Sequence, residues 1–375
     1  MIINLVGKGS LDLSENSDLN ITSKDIMKDK VSISKDGTPI VGEAPFEYLG
    51  TEDGVDNYRV LEEEMDILLP NGEKKLLKSG NIKLDKEWVI CSLPNFAYWH
   101  SVSYYDNKFI AIPYANNIIS YSEDGINWSS NTLPSSSRWY SIAYDGNRFV
   151  IITGNDNTAI YSTDLINWTS TKTTLSSSKM ICYGKDKFVT IRDSKSSAVS
   201  YSKDGITWTQ ATLPTSANWY SVCYGKDKFV AVANNSNIAA YSSDGITWTQ
   251  TTLPSSTYWW SVYYGKDKFI ALSDSNNISA YSEDGINWTL TNMPSSAKWY
   301  SVCYGNGKFV AVAYNSTTAA YSKDGITWTQ ATLPASAAWK SVCYGKDKFV
   351  AVADSSSQSI YMESYEFNGL MLFDI

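Results

Sequence analysis

A block of eight residues returns along this chain every 40 residues. It reads YSEDGINW to Trp128, then YSTDLINW to Trp168, YSKDGITW to Trp208, YSSDGITW to Trp248, YSEDGINW to Trp288 and YSKDGITW to Trp328. A fixed period of this length means that one supersecondary unit is copied and stacked. Copied units also constrain function, because they build a multivalent surface more readily than one unique catalytic centre.

Four patterns recur within the period. The first is an aromatic segment such as WYSVCYG, at Trp99, Trp139, Trp219, Trp259, Trp299 and Trp339, with a degenerate copy near Met180. The second is KFVAVA. The third ends in Tyr-Ser, and the fourth carries the Trp of DGIxW, with a further copy at Trp88. All are short, rich in β-branched and aromatic residues, and bounded by turn residues. YGKDK reads as a tight hairpin between the first and second. LPSSS joins the fourth to the next unit, and its Pro is expected to stop the strand. Four antiparallel strands per 40 residues predict an all-β fold, a seven-bladed β-propeller of four-stranded blades. The lone fourth strand EWVICSLP precedes the first full unit, and a third strand near SIYMES ends the last. Pairing these two would close the ring and remove two exposed edges. The unit in which Leu165 replaces the turn Gly, and TKTTLSSSKM lacks both Pro and Trp, should be the most irregular.

The period assigns residues 83–366 to the propeller, 1–82 to a small N-terminal attachment or oligomerisation module, and 367–375 to a tail. The N-terminal stretch is too short to bury much surface alone. It lacks the basic start and apolar core of a signal peptide, and no apolar run has membrane-spanning length. The net charge of -8 argues against nucleic acid as partner. Four of the five Cys (Cys182, Cys223, Cys303 and Cys343) share one strand position, with Cys91 apart. They read as small buried thiols of a protein made in a reducing compartment.

The block containing Ser202, Asp204, Gly205 and Trp208 resembles the Asp-box of the sialidase-like (BNR) repeat families, with a spacing one residue shorter. The resemblance implies that Asp124, Asp164, Asp204, Asp244, Asp284 and Asp324 brace turns. It also implies that Trp128, Trp168, Trp208, Trp248, Trp288 and Trp328 pack between blades, on the face opposite the ligand side. Sialidases hold a substrate carboxylate with three arginines. Here the repeat region has only Arg138, Arg148 and Arg192, of which Arg138 and Arg148 belong to opposite faces. A glycosidase needs two carboxylates roughly 5–10 Å apart. The ligand-side loops offer Asp156, Asp193, Asp274 and Asp354, spread over different blades. His100 is the sole His and cannot make a multi-His metal site. No catalytic set, metal or cofactor is expected.

The residue after each fixed Trp varies: His100, Tyr140, Tyr220, Trp260, Tyr300 and Lys340. Invariance among copies suits packing, and variation suits surface or ligand contact. These six are the candidate ligand-binding residues, on a face whose Ser, Asn, Thr and aromatic residues suit carbohydrate.

A second resemblance lies in DIMKDKVSISKDGTPIVG. Asp25, Ile26, Lys30, Gly37, Ile40 and Gly42 are similar to a D-I-x-x-G-K…G-x-x-I-x-G pattern of tail-fibre proteins from phages of Gram-positive bacteria, with Asp29 where Gly is usual. The same residues also suit an ordinary hairpin turning at Asp36-Gly37. The resemblance implies a virion protein, made in the host cytoplasm and attached to other tail proteins through residues 1–82. It would be a homo-oligomer that binds a bacterial cell-surface glycan or surface protein. Alternatives are a depolymerase of the sialidase-like fold and a purely structural tail propeller.

Overall fold

The computed structural model describes residues 86–364 in full and, beyond them, only strand positions. By contacts the chain divides into two units: Lys86–Ser364, and Met1–Asp85 with Tyr365–Ile375. In the second of these, short hairpins join Ile26–Met27 to Lys30–Val31, Phe46–Glu52 to Val55–Val60, and Glu64–Leu68 to Lys74–Asp85. Asp25, Gly37, Ile40 and Gly42 of the tail-fibre resemblance, and the Asp36-Gly37 turn, lie outside the described residues.

Among the described residues the fold is all-β, without a helix, and none therefore could cross a membrane as a helix. The repeats fold into propeller-like blades of four antiparallel strands; three are separate sheets, and the others run together through long strands such as Ser129–Tyr144 and Thr329–Gly345. One of the three runs through Trp219–Gly225, Lys228–Ala233, Ser236–Ser242 and Thr249–Thr257. Lys226 and Asp227 both take positive φ, the geometry of a type I′ hairpin, which matches the twist of the strands it joins. Val89–Tyr105 pairs with Ser356–Asp374, placing Cys91 opposite Ser359.

The second strands are buried on both faces, from Phe229 to Ala233 in one blade, because neighbouring blades sandwich them. Trp99, Trp139, Trp219, Trp259, Trp299 and Trp339 are all fully buried, and so are the Phe residues that open the second strands, Phe109 to Phe349. Blades hold one another by repeated contacts. The Tyr224, Tyr264, Tyr304 and Tyr344 rings cover Gly184, Gly225, Gly265 and Gly305 of the preceding blade, and Tyr104 covers Gly345 in the same way. A Cβ at Gly305 would lie 1.9 Å from the Tyr344 ring, so no other residue fits. Ser341 Oγ also donates to Val102 O at 3.2 Å. A central cavity of about 330 Å³ is lined by these inner strands, including Cys182, Cys223, Cys303 and Cys343. All five cysteines are free.

The DGIxW turn is braced as its residue types dictate. Ser242 Oγ accepts from Gly245 N (2.8 Å) and donates to Asp244 Oδ1 (2.9 Å), which also accepts from Ile246 N and Thr247 N (both 2.8 Å). Burial alone would raise the Asp244 carboxyl, but these donors together hold it below its usual range. Gly245 sits at φ 74, against Val189 of the preceding blade and Phe229 of its own. Trp248 packs on the same cluster. Leu165 adopts φ 63 in the Gly position, a strain of roughly 1–2 kcal/mol. Its buried side chain, packed with Ile110 and Phe149, offsets that by about 1.5–3 kcal/mol. Asp244→Ala is expected to cost about 1–2 kcal/mol in chemical denaturation, since two backbone N–H groups lose their acceptor.

Two expectations need correction. Proline does not stop the strand. Thr209–Ala217 runs through Pro214, and Ser129–Tyr144 through Pro134. Pairing slips between Ala198↔Thr212 and Ser196↔Ala217, so exposed Pro214 sits in a bulge where no ladder N–H is required. The Leu165 unit is the one expected to be the most irregular, yet the Trp259 unit shares its shortened outer strand. In the Leu165 unit the outer strand stops at Lys172, but the loop is tied back by Thr173 N→Asn157 O and Ser177 N→Asp156 O. In the Trp259 unit it stops at Asn292 although Pro294 is present, and only Met293 N→Asn277 O follows.

Candidate functional site

One end of the blades carries the hairpins and DGIxW turns. Glu123, Glu283 and Arg148 belong there, with Arg148 Nη1 donating to Asp204 O. The opposite end carries the loops that enter each inner strand. Trp219 is buried in the core, and pairing slips from Trp219↔Ala233 to Ser221↔Val232, so the next residue, Tyr220, is the extra residue of a bulge. The same holds in every unit, and the six candidate residues are all half-buried at this end.

The structure brings them into ring contact. His100 meets Tyr140 edge-on at 4.7 Å. Tyr220, Trp260 and Tyr300 follow at 4.3 and 4.1 Å. Lys340 Nζ lies 4.6 Å from the Tyr300 ring and 4.4 Å from that of Tyr314. Tyr114 and Tyr314, which follow the second strands, extend the cluster by contacts of 5.5 Å to Tyr140 and 4.6 Å to Tyr300.

Sequence reasoning missed Lys179. In the degenerate unit Ser178 stands for the fixed Trp, so Lys179 holds the variable position. Counting back from Cys182 and Tyr183, rather than forward from Trp139, would have found it. Its Nζ lies 4.1 Å from the Tyr140 ring and 4.4 Å from the Tyr220 ring, and 3.4 Å from Asp193 Oδ2. It bridges the two halves of the aromatic cluster.

The electrostatics follow from this packing. Burial, opposed by Asp193, lowers the Lys179 amine to about 8. Burial likewise lowers Lys340, which pairs with Asp354 at 3.6 Å. His100 is pushed down to about 3, first by burial and then by the Lys179 and Lys340 charges. It is neutral, and because a carbonyl can only accept, its Nδ1–H donates to Tyr140 O at 3.1 Å. Burial raises the Tyr140, Tyr220 and Tyr300 phenols.

The candidate carboxylates divide by partner. Asp193 and Asp354 are held by amines. Asp156 braces its own loop, accepting from Thr153 Oγ1 (3.1 Å) and Thr158 N (2.6 Å). Asp274 opens instead on a cleft of about 380 Å³ between two blades, lined by Tyr258, Ser275, Ser296, Ala297 and Lys298. Among the described residues no cluster of three His, Cys, Asp or Glu side chains could hold a metal. The arrangement can stack on rings, hydrogen-bond hydroxyls and hold charge.

The DUF6242 beta propeller domain family matches residues 164–290. No curated protein matches the chain in sequence. Among solved structures, virginiamycin B lyase from Staphylococcus aureus is similar with a TM-score of 0.68, at 11% identity over 74% of this chain and 99% of that one. YCF48 bound to D1 peptide is similar with a TM-score of 0.60, at 18% identity over 76% and 97%. The WD40 beta propeller domain of Doa1 is similar with a TM-score of 0.58, at 14% identity over 74% and 97%. The matched domain and these likenesses make the repeat region a β-propeller.

Proposed function

We propose that the chain is a non-enzymatic receptor-binding protein of a phage or phage-like tail. Its propeller has seven blades, closed into a ring by the strand that begins at Val89. It engages a bacterial cell-surface glycan or surface protein through the face bearing His100, Tyr140, Lys179, Tyr220, Trp260, Tyr300 and Lys340. Residues 1–82 join other tail proteins, and several copies turn weak sites into firm adhesion.

The observation that carries this reading is the ring itself. Copied scaffold positions converge on one face, yet they present His, Tyr, Trp and Lys in turn, with aromatic surface and charge together. The carboxylates of that face also favour binding over hydrolysis, because amines or loop donors occupy Asp193, Asp354 and Asp156. A glycosidase needs two carboxylates that are free to act. The test is saturable binding of labelled full-length protein to intact bacteria, with isolated wall polysaccharide as competitor. Trp260→Ala with Tyr220→Ala is expected to weaken binding at least about tenfold, at roughly 1–3 kcal/mol for each lost stacking platform. The double variant should retain a cooperative melt. Binding that is unchanged in the variant would count against this face.

A second reading is a lyase or depolymerase. It is favoured by the likeness to virginiamycin B lyase, of which a histidine-to-alanine variant is described as catalytically inactive. Here the sole histidine lies at the same end of the propeller as the candidate face. Recovery of shortened polymer from the binding assay would select this reading.

A further inference from the structure

Asp274 differs from its two counterparts in the ring. Asp193, Asp274 and Asp354 each follow the second strand of their blade. In two of these blades the variable inner-strand residue is a lysine that reaches its own blade's Asp, Lys179 at 3.4 Å and Lys340 at 3.6 Å. In both, the ammonium is also held against two tyrosine rings at 4.1–4.6 Å. In the third blade that residue is Trp260, which can supply no charge. Among the described residues no hydrogen bond or ion pair reaches the Asp274 carboxylate. Burial raises it, partly opposed by the more distant Lys298.

The same blade opens space in front of this carboxylate. Elsewhere the linking loop is pinned to the third strand, as in Ser236↔Thr257, Ser316↔Ala337 and Ser356↔Ala97. Here pairing ends at Ile278↔Asn292, and beyond the Met293 N→Asn277 O bond no backbone hydrogen bond among the described residues ties residues 294–298 to the third strand. The resulting cleft of about 380 Å³ falls within the range of small-molecule sites. Its wall includes the Tyr258 ring, 46% exposed, and the hydroxyl-bearing Ser275 and Ser296. The ring charges cancel in the two Lys–Asp pairs, and Asp274 leaves one local negative charge with aromatic surface beside it.

We propose that this cleft binds the ammonium group of an amino sugar. The ligand's cation takes the place relative to Asp274 that Lys179 and Lys340 take relative to their own carboxylates. Its pyranose ring lies on Tyr258, and its hydroxyls meet Ser275 and Ser296. Lys298, exposed at the mouth, opposes the cation and competes for Asp274. The inference rests on the glycan-binding reading and names one subsite for it.

The test is calorimetric titration of the full-length protein with a glucosamine oligosaccharide and with its N-acetylated counterpart, which has the same ring but no charge. The expected result is a preference of about tenfold or more for the free amine, as for a charged hydrogen bond. Asp274→Asn should abolish that preference. Lys298→Ala should tighten amine binding by about two- to threefold, the size of a surface charge effect. Equal binding of the two oligosaccharides, binding of neither, or weakening in Lys298→Ala would overturn the proposal. The wild-type preference and the sign of the Lys298→Ala effect decide the matter even if Asp274→Asn fails to fold. Cell binding that survives without amine preference would sink this subsite and leave the receptor-binding reading standing.

Discussion

Trp259→Ala is expected to remove about 3–5 kcal/mol of stability. The side chain is fully buried, and it packs against Val230, Val232, Phe269 and Ala271 from two neighbouring blades. Truncation leaves a cavity between two rigid sheets that cannot close over it, because the Tyr–Gly contacts fix their spacing. The indole N–H also donates to Ser255 O at 3.0 Å, so truncation frees the loop that leads into the strand. Trp139 offers a control. It is equally buried, but its Nε1 has no partner. Trp139→Phe should therefore cost less than Trp259→Phe, since it removes an unsatisfied donor instead of a made bond. Urea denaturation of the three variants measures these costs, and equal costs for the two Phe variants would show that the bond to the loop contributes nothing.

Acid should destabilise the protein from near pH 6.5 downward, and His100 is the cause. An unfolded histidine protonates near 6.5, whereas folded His100 is held down to about 3. Between those values the unfolded state binds the extra proton, so stability falls as pH falls, by up to about 1.4 kcal/mol per unit. By pH 5 the loss approaches about 2 kcal/mol. Asp274 acts in the opposite sense, because burial raises its carboxyl and folding then favours the protonated form as pH drops. The braced Asp residues of the turns, such as Asp244, are held low and add their own loss only below about pH 4. The chain has one histidine, so His100→Gln should flatten the melting temperature between pH 6.5 and 4.5. A slope that persists in the variant would assign the effect to another group.

Much of this was legible in the sequence. The strands, the braced turn and the buried Trp could be read because repetition writes each constraint several times. A position fixed in every copy is fixed by packing, as Phe229 shows. The variable positions could also be read, since the residue after each fixed Trp varies among the copies. Three things could not. Pro214 signalled a break because its missing N–H is a local fact, whereas the bulge that makes the N–H unnecessary is set by a partner strand. Lys179 was hidden because its unit had lost the Trp that marks the register. Asp193, Asp274 and Asp354 look alike in sequence, and only the partner supplied by each blade separates two paired carboxylates from an unpaired one.

The one-residue offset between the fixed Trp and its variable neighbour has a consequence for how such a protein can change. The first side chain is buried in the core, whereas the second sits in a bulge at the candidate face, so a mutation at the second is almost invisible to the first. Unequal exchange between near-identical repeats moves whole units without breaking a single core contact, and it carries a new letter to the exposed face each time. The scaffold and its specificity are thus inherited separately, and a lineage can rewrite what this face recognises while leaving untouched the interior that holds it up.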